Sequence, residues 1–273
     1  MFRFVVPGVF LSVLLATGTI AQPNNWSDCS NRNPEMAIRG CTAIIDAGQE
    51  TKSKLAIAYR NRGTAFRRQA NHDRAIVELS KAIELNPDFA AAYKSRALAY
   101  KAKADYNRTI ADYTHAIKLA PDQADTYRRR ADAYKRVGRL REAIEDYGKA
   151  IKLNPDDAIT YNNRGNAYKR SDDLARAMAD FNTAIRLNPN LATAHLYRGN
   201  AYFHKGKLDL ALADLDRAIG LDMKLAPAYS NRAFVHEKLG HRDQAIKDFR
   251  SAISLNPDND AAVQGLKRLG GTP

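Results

Sequence analysis

The chain holds six histidines and two cysteines, and one stretch sets histidines close enough to suggest chemistry. His236-Glu237-Lys238-Leu239-Gly240-His241 has the residue types of a zinc-protease helix. There, two histidines four apart share a helical face and the glutamate acts as general base. Here the spacing is five and Gly240 interrupts the helix, so an ordinary turn is expected. Two cysteines cannot make a four-cysteine zinc site. There is no glycine-rich phosphate loop, and serines and histidines are scattered. No catalytic site, metal or cofactor is expected.

A second pattern involves charge. Arg62, Arg96, Arg130, Arg164, Arg198 and Arg232 are each followed sixteen residues later by an acid: Glu78, Asp112, Asp146, Asp180, Asp214 and Asp248. Matched opposite charges at one separation predict a structural ion pair between two helices. Six arginines offered to an anionic ligand are the alternative. Removing one partner of a partly buried pair costs several kcal/mol, because the other charge is stranded.

These charges ride on a period of 34 residues. Prolines fall at 87, 121, 155, 189 and 257, with Met223 at the skipped place. Units start at Ala56, Ala90, Ala124, Ala158, Ala192 and Ala226. Counting each of these as position 1, positions 4 and 11 are aromatic or histidine and position 8 is Gly or Ala. Offsets of three and four put these on one helical face. A turn follows, as at Ala70-Asn71 and Gly138-Arg139. A second face carries Ala or Thr at position 20, a large residue at 24, Ala-Ile at 27–28 and Leu at 30. Each unit therefore reads helix, turn, helix. The proline is expected to open the next helix, where its missing N–H costs nothing.

On these residues the chain resembles the tetratricopeptide repeat family, over Ala56–Asn259. The resemblance implies an all-α, right-handed superhelical solenoid of six units: 56–89, 90–123, 124–157, 158–191, 192–225 and 226–259. Small residues let paired helices touch, and no unit buries its faces alone, so stacking makes one core. Position 7 departs from the family, which places an apolar residue where this chain has arginine.

The ends read differently. Met1–Ala21 has one charge (Arg3), an apolar run and small residues before Gln22, the layout of a cleaved secretory signal peptide. A retained membrane anchor is the competing reading. Export would place Cys29 and Cys41 in an oxidising compartment, where a bridge is expected to close a short loop; free thiols are the alternative. Residues 22–55 form an N-terminal cap with a helix at Pro34–Ala47, and Trp26, Cys29 and Cys41-Thr42 resemble the lead-in of exported bacterial repeat proteins. In 260–273, Ala261, Ala262, Leu266 and Leu269 make the apolar stripe of a solvating end helix, before a frayed Gly270–Pro273.

Composition bounds the function. Of 273 residues 45% are hydrophobic and 27% charged, so the chain is globular; 43 Lys and Arg against 30 Asp and Glu give a net charge of +13. In the family, the first helix of each unit lines a concave groove, at positions 2, 5, 6, 9, 12 and 13. The early units put Arg60, Asn61, Arg67, Arg68, Lys94, Lys101, Arg128, Arg129, Lys135 and Arg136 there, with Lys169 and Arg170 in the fourth. The later units offer Asn162, Asn163, Asn166, Asn200 and Asn231 beside Leu196, Tyr197, Phe203 and Phe234. A basic concave wall attracts anions, and asparagine both donates to and accepts from a peptide backbone. Asn61, Asn163 and Asn231 are similar in place to the asparagine ladder of O-linked N-acetylglucosamine transferase repeats; Ser95, Arg129 and Tyr197 break it. The clamp that some family members use for a terminal carboxylate is not reproduced, since Asp125 stands where a lysine is needed. The expectation is a non-catalytic scaffold outside the cytoplasm, holding an extended acidic peptide. The alternative is a binder of anionic lipid or acidic glycan. Export argues against nucleic acid.

Overall fold

The computed structural model describes residues 25–272; the signal-peptide reading of Met1–Ala21 lies outside them. Fifteen helices and no strands occur among the described residues. A cap of α1 (Asn25–Cys29) and α2 (Pro34–Ala47) precedes six helix pairs. The pairs are α3 (Lys52–Arg68) and α4 (His72–Leu85), α5 (Ala90–Ala102) and α6 (Tyr106–Leu119), α7 (Ala124–Arg136) and α8 (Leu140–Leu153). They continue with α9 (Ala158–Arg170) and α10 (Leu174–Leu187), α11 (Ala192–His204) and α12 (Leu208–Leu221), α13 (Ala226–Lys238) and α14 (Arg242–Leu255). The last helix is α15 (Asp260–Arg268). In unit 1 the first helix starts at Lys52, capped by the Thr51 hydroxyl, four residues before the period begins.

The core runs along the stack. The position-24 residues Leu79, Tyr113, Tyr147, Phe181, Leu215 and Phe249 are all 0% exposed. Burying one such side chain contributes about 1.5–3 kcal/mol. Close approach explains the glycine at 165: a Cβ there would lie 2.7 Å from the Phe181 ring. The same contact corrects the expected stripe of α15. Ala261 is exposed, and Gly265 takes its place, because a Cβ there would come within 2.3 Å of the Phe249 ring.

Each first helix ends in the same way. Position 15 has positive φ in all six units: Ala70 (59°), Ala104 (57°), Gly138 (78°), Asp172 (63°), Gly206 (70°) and Gly240 (80°). The next N–H then bonds back to the carbonyl of position 11, as Asn71 to Phe66 at 2.9 Å and Lys207 to Tyr202 at 3.0 Å. This is the Schellman arrangement, for which glycine is preferred. Where the residue is not glycine, an Asn or Asp follows and its side chain caps the next helix: Asn71, Asp105 and Asp173 accept from the N–H of Arg74, Arg108 and Arg176. After Gly138, Gly206 and Gly240 no side chain caps.

The prolines act otherwise than expected. Pro87 does not open α5; it lies in the loop after α4 ends at Leu85, and α5 starts at Ala90. Proline forces the residue before it out of the helical region, and Asn86 is extended at φ −143°, ψ 91°. Asp222, before Met223, has the same geometry, so the loop does not depend on the proline. Within the described part of the tail, Gly270–Thr272 is tied rather than frayed: Gly271 N–H bonds to Leu266 O at 3.0 Å, and Arg250 donates to Thr272 O at 3.0 Å.

In the cap, Asn33 caps α2 by accepting from Glu35 and Met36. Cys29 and Cys41 are buried with their sulfurs at bonding distance, 2.09 Å.

Candidate binding groove

The recurrent arginines hold the stack. Arg96 meets Asp112 with both Nε and Nη2, at 2.9 and 2.8 Å. Arg130 does the same to Asp146, Arg164 to Asp180, Arg198 to Asp214 and Arg232 to Asp248, all between 2.6 and 2.8 Å. Arg62 reaches Glu78 at 2.8 Å. The aspartate hydrogen bonds hold Arg96, Arg164 and Arg198 above the ordinary arginine range, against the pull of burial. Aromatic rings at positions 4 and 11 flank the guanidinium, as Tyr93 and Tyr100 do for Arg96 at 5.7 and 5.9 Å. That packing is how arginine is tolerated where an apolar residue is usual.

A second partner, present for five of the six arginines, was not legible in the sequence. Nη1 crosses to position 25 of the preceding unit: Arg96 to Ser80 at 2.9 Å, Arg130 to Thr114 at 3.0 Å, Arg198 to Asn182 at 2.9 Å and Arg232 to Asp216 at 2.6 Å. Arg62 reaches Thr42 of the cap at 3.0 Å. Only Arg164 lacks such a bond among the described residues, because Gly148 occupies its place. One guanidinium thus joins both helices of its unit and the unit before.

Neighbouring first helices approach one another (α3 with α5, α7 with α9, α9 with α11, α11 with α13), whereas second helices do not approach each other as closely. The stack therefore curves with the first helices inside, and their outer positions form the groove.

Several expected groove residues are spent on one another. Arg128 pairs with Asp125 and lies 3.8 Å from Asp132 and 3.7 Å from Asp157. Arg129 pairs with the same Asp125 at 2.5 Å. Asp125 is one turn before both arginines, so it offsets part of the positive charge that Arg128 and Arg129 bring to the groove. Asn162 is 4% exposed and donates to Thr193 at 3.3 Å. Asn163 donates to Asp132 at 3.2 Å, and Lys169 donates to Asn200 at 2.7 Å. Leu196 is buried in the core. Successive first helices bring position 5 beside the next position 2, and position 6 beside the previous position 9, so these amides link units. Asn61 accepts from Arg60 at 3.0 Å. Asn166 and Asn231 have no side-chain partner among the described residues.

Units 1 and 2 differ. Arg60, Arg67, Arg68, Lys94 and Lys101 form no ion pair among the described residues; Arg68 reaches only the carbonyls of Asn31 and Arg32. The Nε atoms of Arg60 and Arg67 are buried without a partner, as is the Tyr113 hydroxyl. Burial, then the charge of Arg68, pushes both arginines below their ordinary range. Burial also pushes the Tyr113 phenol up to about 12.

The two histidines of the zinc-like stretch stand with Nδ1 atoms 3.4 Å apart, and no group of three or more metal-ligating residues occurs among the described residues. No described helix is long and apolar enough to cross a membrane.

A solenoid of helix pairs whose first helices line an inner groove is the architecture of a repeat scaffold. The chain belongs to the tetratricopeptide repeat family: TPR repeat models match residues 63–103 and 131–172, and tetratricopeptide repeat models match 90–123, 162–227 and 226–259. That family is one of scaffolds for protein–protein interaction. No curated protein matches the chain in sequence. Among solved structures, the Cut9–Hcn1 APC/C hetero-tetramer is similar at 19% identity and TM-score 0.68, over 86% of this chain; the chain spans 49% of that one. A tetratricopeptide repeat protein from Parabacteroides merdae matches at 18% identity over 90% of this chain and 96% of that one, TM-score 0.70. YrrB, described as a TPR protein with an unusual peptide-binding site, matches at 24% over 69% and 97%, TM-score 0.53. These likenesses concern the fold.

Proposed function

We propose that this scaffold holds an extended, acidic peptide segment of a partner protein along its first-helix face. One observation carries the reading: five groove cations in units 1 and 2 have no carboxylate partner, although every position-7 arginine has one. The Nε atoms of Arg60 and Arg67 are also buried without a partner, which is a cost carried by the chain as it stands. The reading is non-catalytic. It includes export by the Met1–Ala21 leader to a periplasmic or extracellular compartment, with Cys29–Cys41 kept as a disulfide.

The test is fluorescence anisotropy of a labelled Asp/Glu-rich peptide against its Asn/Gln counterpart, using the chain with and without Arg68→Glu and Lys94→Glu. The acidic peptide is expected to bind more tightly by tenfold or more, to lose most of that preference in the double variant and to weaken as salt rises. Equal binding of both peptides would sink the reading. Preference for anionic vesicles or acidic glycan over the peptide would favour an envelope polyanion.

A further inference from the structure

A cavity of about 420 Å³ opens on the first-helix face between units 2 and 5. Lys101, Lys135, Arg136 and Arg170 line it, against a single carboxylate, Asp132. That carboxylate is already engaged. It accepts from the Tyr147 hydroxyl at 2.5 Å and from Asn163 at 3.2 Å, and Arg128 lies 3.8 Å away. Its distance to the Lys135 ammonium is 3.9 Å, too long for a hydrogen bond. Arg170 is fixed over the cavity by donating to the Lys135 carbonyl at 2.9 Å.

Four cations therefore converge on one space with a net excess of positive charge. Burial, and then the charges of Arg170, Arg136 and Lys101, hold the Lys135 ammonium below its ordinary range against the opposing pull of Asp132. A larger cavity, about 680 Å³, lies on the edge between α8 and the α9–α10 turn. Its two arginines are already paired, Arg141 with Glu145 and Arg176 with Asp173, and Asp172 adds a further carboxylate. The cavity in the groove gathers four cations against one carboxylate.

We propose that this cavity is the anchoring subsite of the acidic peptide, and that it takes two neighbouring carboxylates. One carboxylate would leave most of the excess charge unmet. The volume lies near the lower end for ligand pockets, which suits a short part of a longer ligand. Asn166, on the cavity wall and without a partner, offers a donor and an acceptor to the peptide main chain. Tyr106 and Tyr197 close two sides and give the flanking residue of the peptide an aromatic surface. The subsite rests on the acidic-peptide reading above and narrows it to a motif of two adjacent Asp or Glu.

The experiment measures anisotropy of a labelled peptide with a central Glu-Asp pair, its Gln-Asn analogue and inorganic pyrophosphate as competitor, on the full chain. Lys101 and Arg136 are exposed, so Lys101→Glu with Arg136→Glu leaves the core untouched; Lys101→Arg with Arg136→Lys is the conservative control. The Glu-Asp peptide is expected to bind the reversed variant at least tenfold more weakly and the control within about threefold. Loss of binding in Arg68→Glu/Lys94→Glu together with full binding in the reversed cavity variant overturns the subsite and keeps the groove reading. Failure of the wild-type chain to prefer Glu-Asp over Gln-Asn overturns both. Capture of pyrophosphate without peptide, lost in the reversed variant, overturns the peptide assignment.

Discussion

Replacing Gly148 by serine should supply the one missing bond between units. A Cβ built on Gly148 meets only Arg164 Nη1, at 3.9 Å, so a side chain enters open space. At the corresponding place Ser80 Oγ accepts from Arg96 at 2.9 Å. Glycine inside α8 costs about 0.8–1 kcal/mol relative to alanine, and serine about 0.5 kcal/mol. A hydrogen bond from a charged donor adds about 1.5–3 kcal/mol; the Arg164 side chain is 21% exposed, so the lower end applies. Without the bond, Gly148→Ser would fall about 0.5 kcal/mol below Gly148→Ala. With it, serine should exceed alanine by about 1 kcal/mol. In a chain of this size about 1 kcal/mol moves Tm by roughly 2–4 °C. Thermal and urea unfolding of both variants read the order directly. Serine at or below alanine would refute the claim that position 25 links the units.

Ala104→Gly should stabilise by about 1 kcal/mol by removing a left-handed alanine, while Gly206→Ala should destabilise by a similar amount; chemical denaturation checks both. Arg96→Met alone should cost about 3–5 kcal/mol, and Arg96→Met with Asp112→Leu much less, because no charge is then stranded; a double-mutant cycle measures the difference. The Arg108 and Arg176 backbone N–H groups hold the Asp105 and Asp173 carboxyls below their usual 3.8. Their contribution is therefore present above about pH 4 and lost as pH falls through the depressed values. Asp105→Asn with Asp173→Asn should flatten the dependence of Tm on pH between about 2 and 4. Reduction with dithiothreitol should cost about 2–4 kcal/mol if Cys29–Cys41 closes the cap; an unchanged melting curve with two titratable thiols would show them free.

What the sequence made legible lies within one period. Small residues at 8, 20 and 27, the large residue at 24 and the Arg62–Glu78 separation recur in register, so the helices and the charge placement could be read. Contacts between units combine two positions that vary independently. Ser80, Thr114, Asn182 and Asp216 share an acceptor oxygen but not a residue type, and Gly148 at the same place has none, which hid the bond from arginine to the preceding unit. The groove was hidden for the same reason. Nothing marked Asp132, at position 9 of unit 3, as the acceptor for Tyr147 and Asn163, and Asp125 was read only as a broken clamp. The Ala104-Asp105 turn carried no glycine, and its positive φ follows from the six-fold repetition of the structure.

Those turns also show two ways of reaching the same stability. A left-handed alanine costs about 1–2 kcal/mol, and an Asp or Asn cap contributes about 0.5–2 kcal/mol, so the two solutions are nearly balanced. A duplicated unit that starts as Ala-Asp can pass through Gly-Asp, which holds both advantages, and then drift to Gly-Lys or Gly-Arg. The other order passes through Ala-Arg, which holds neither. Exchange between the two solutions is therefore downhill and then tolerated when the glycine is introduced before the cap is removed. Gly138-Arg139, Gly206-Lys207 and Gly240-His241 hold the glycine without the cap, and Ala70-Asn71 and Ala104-Asp105 the cap without the glycine.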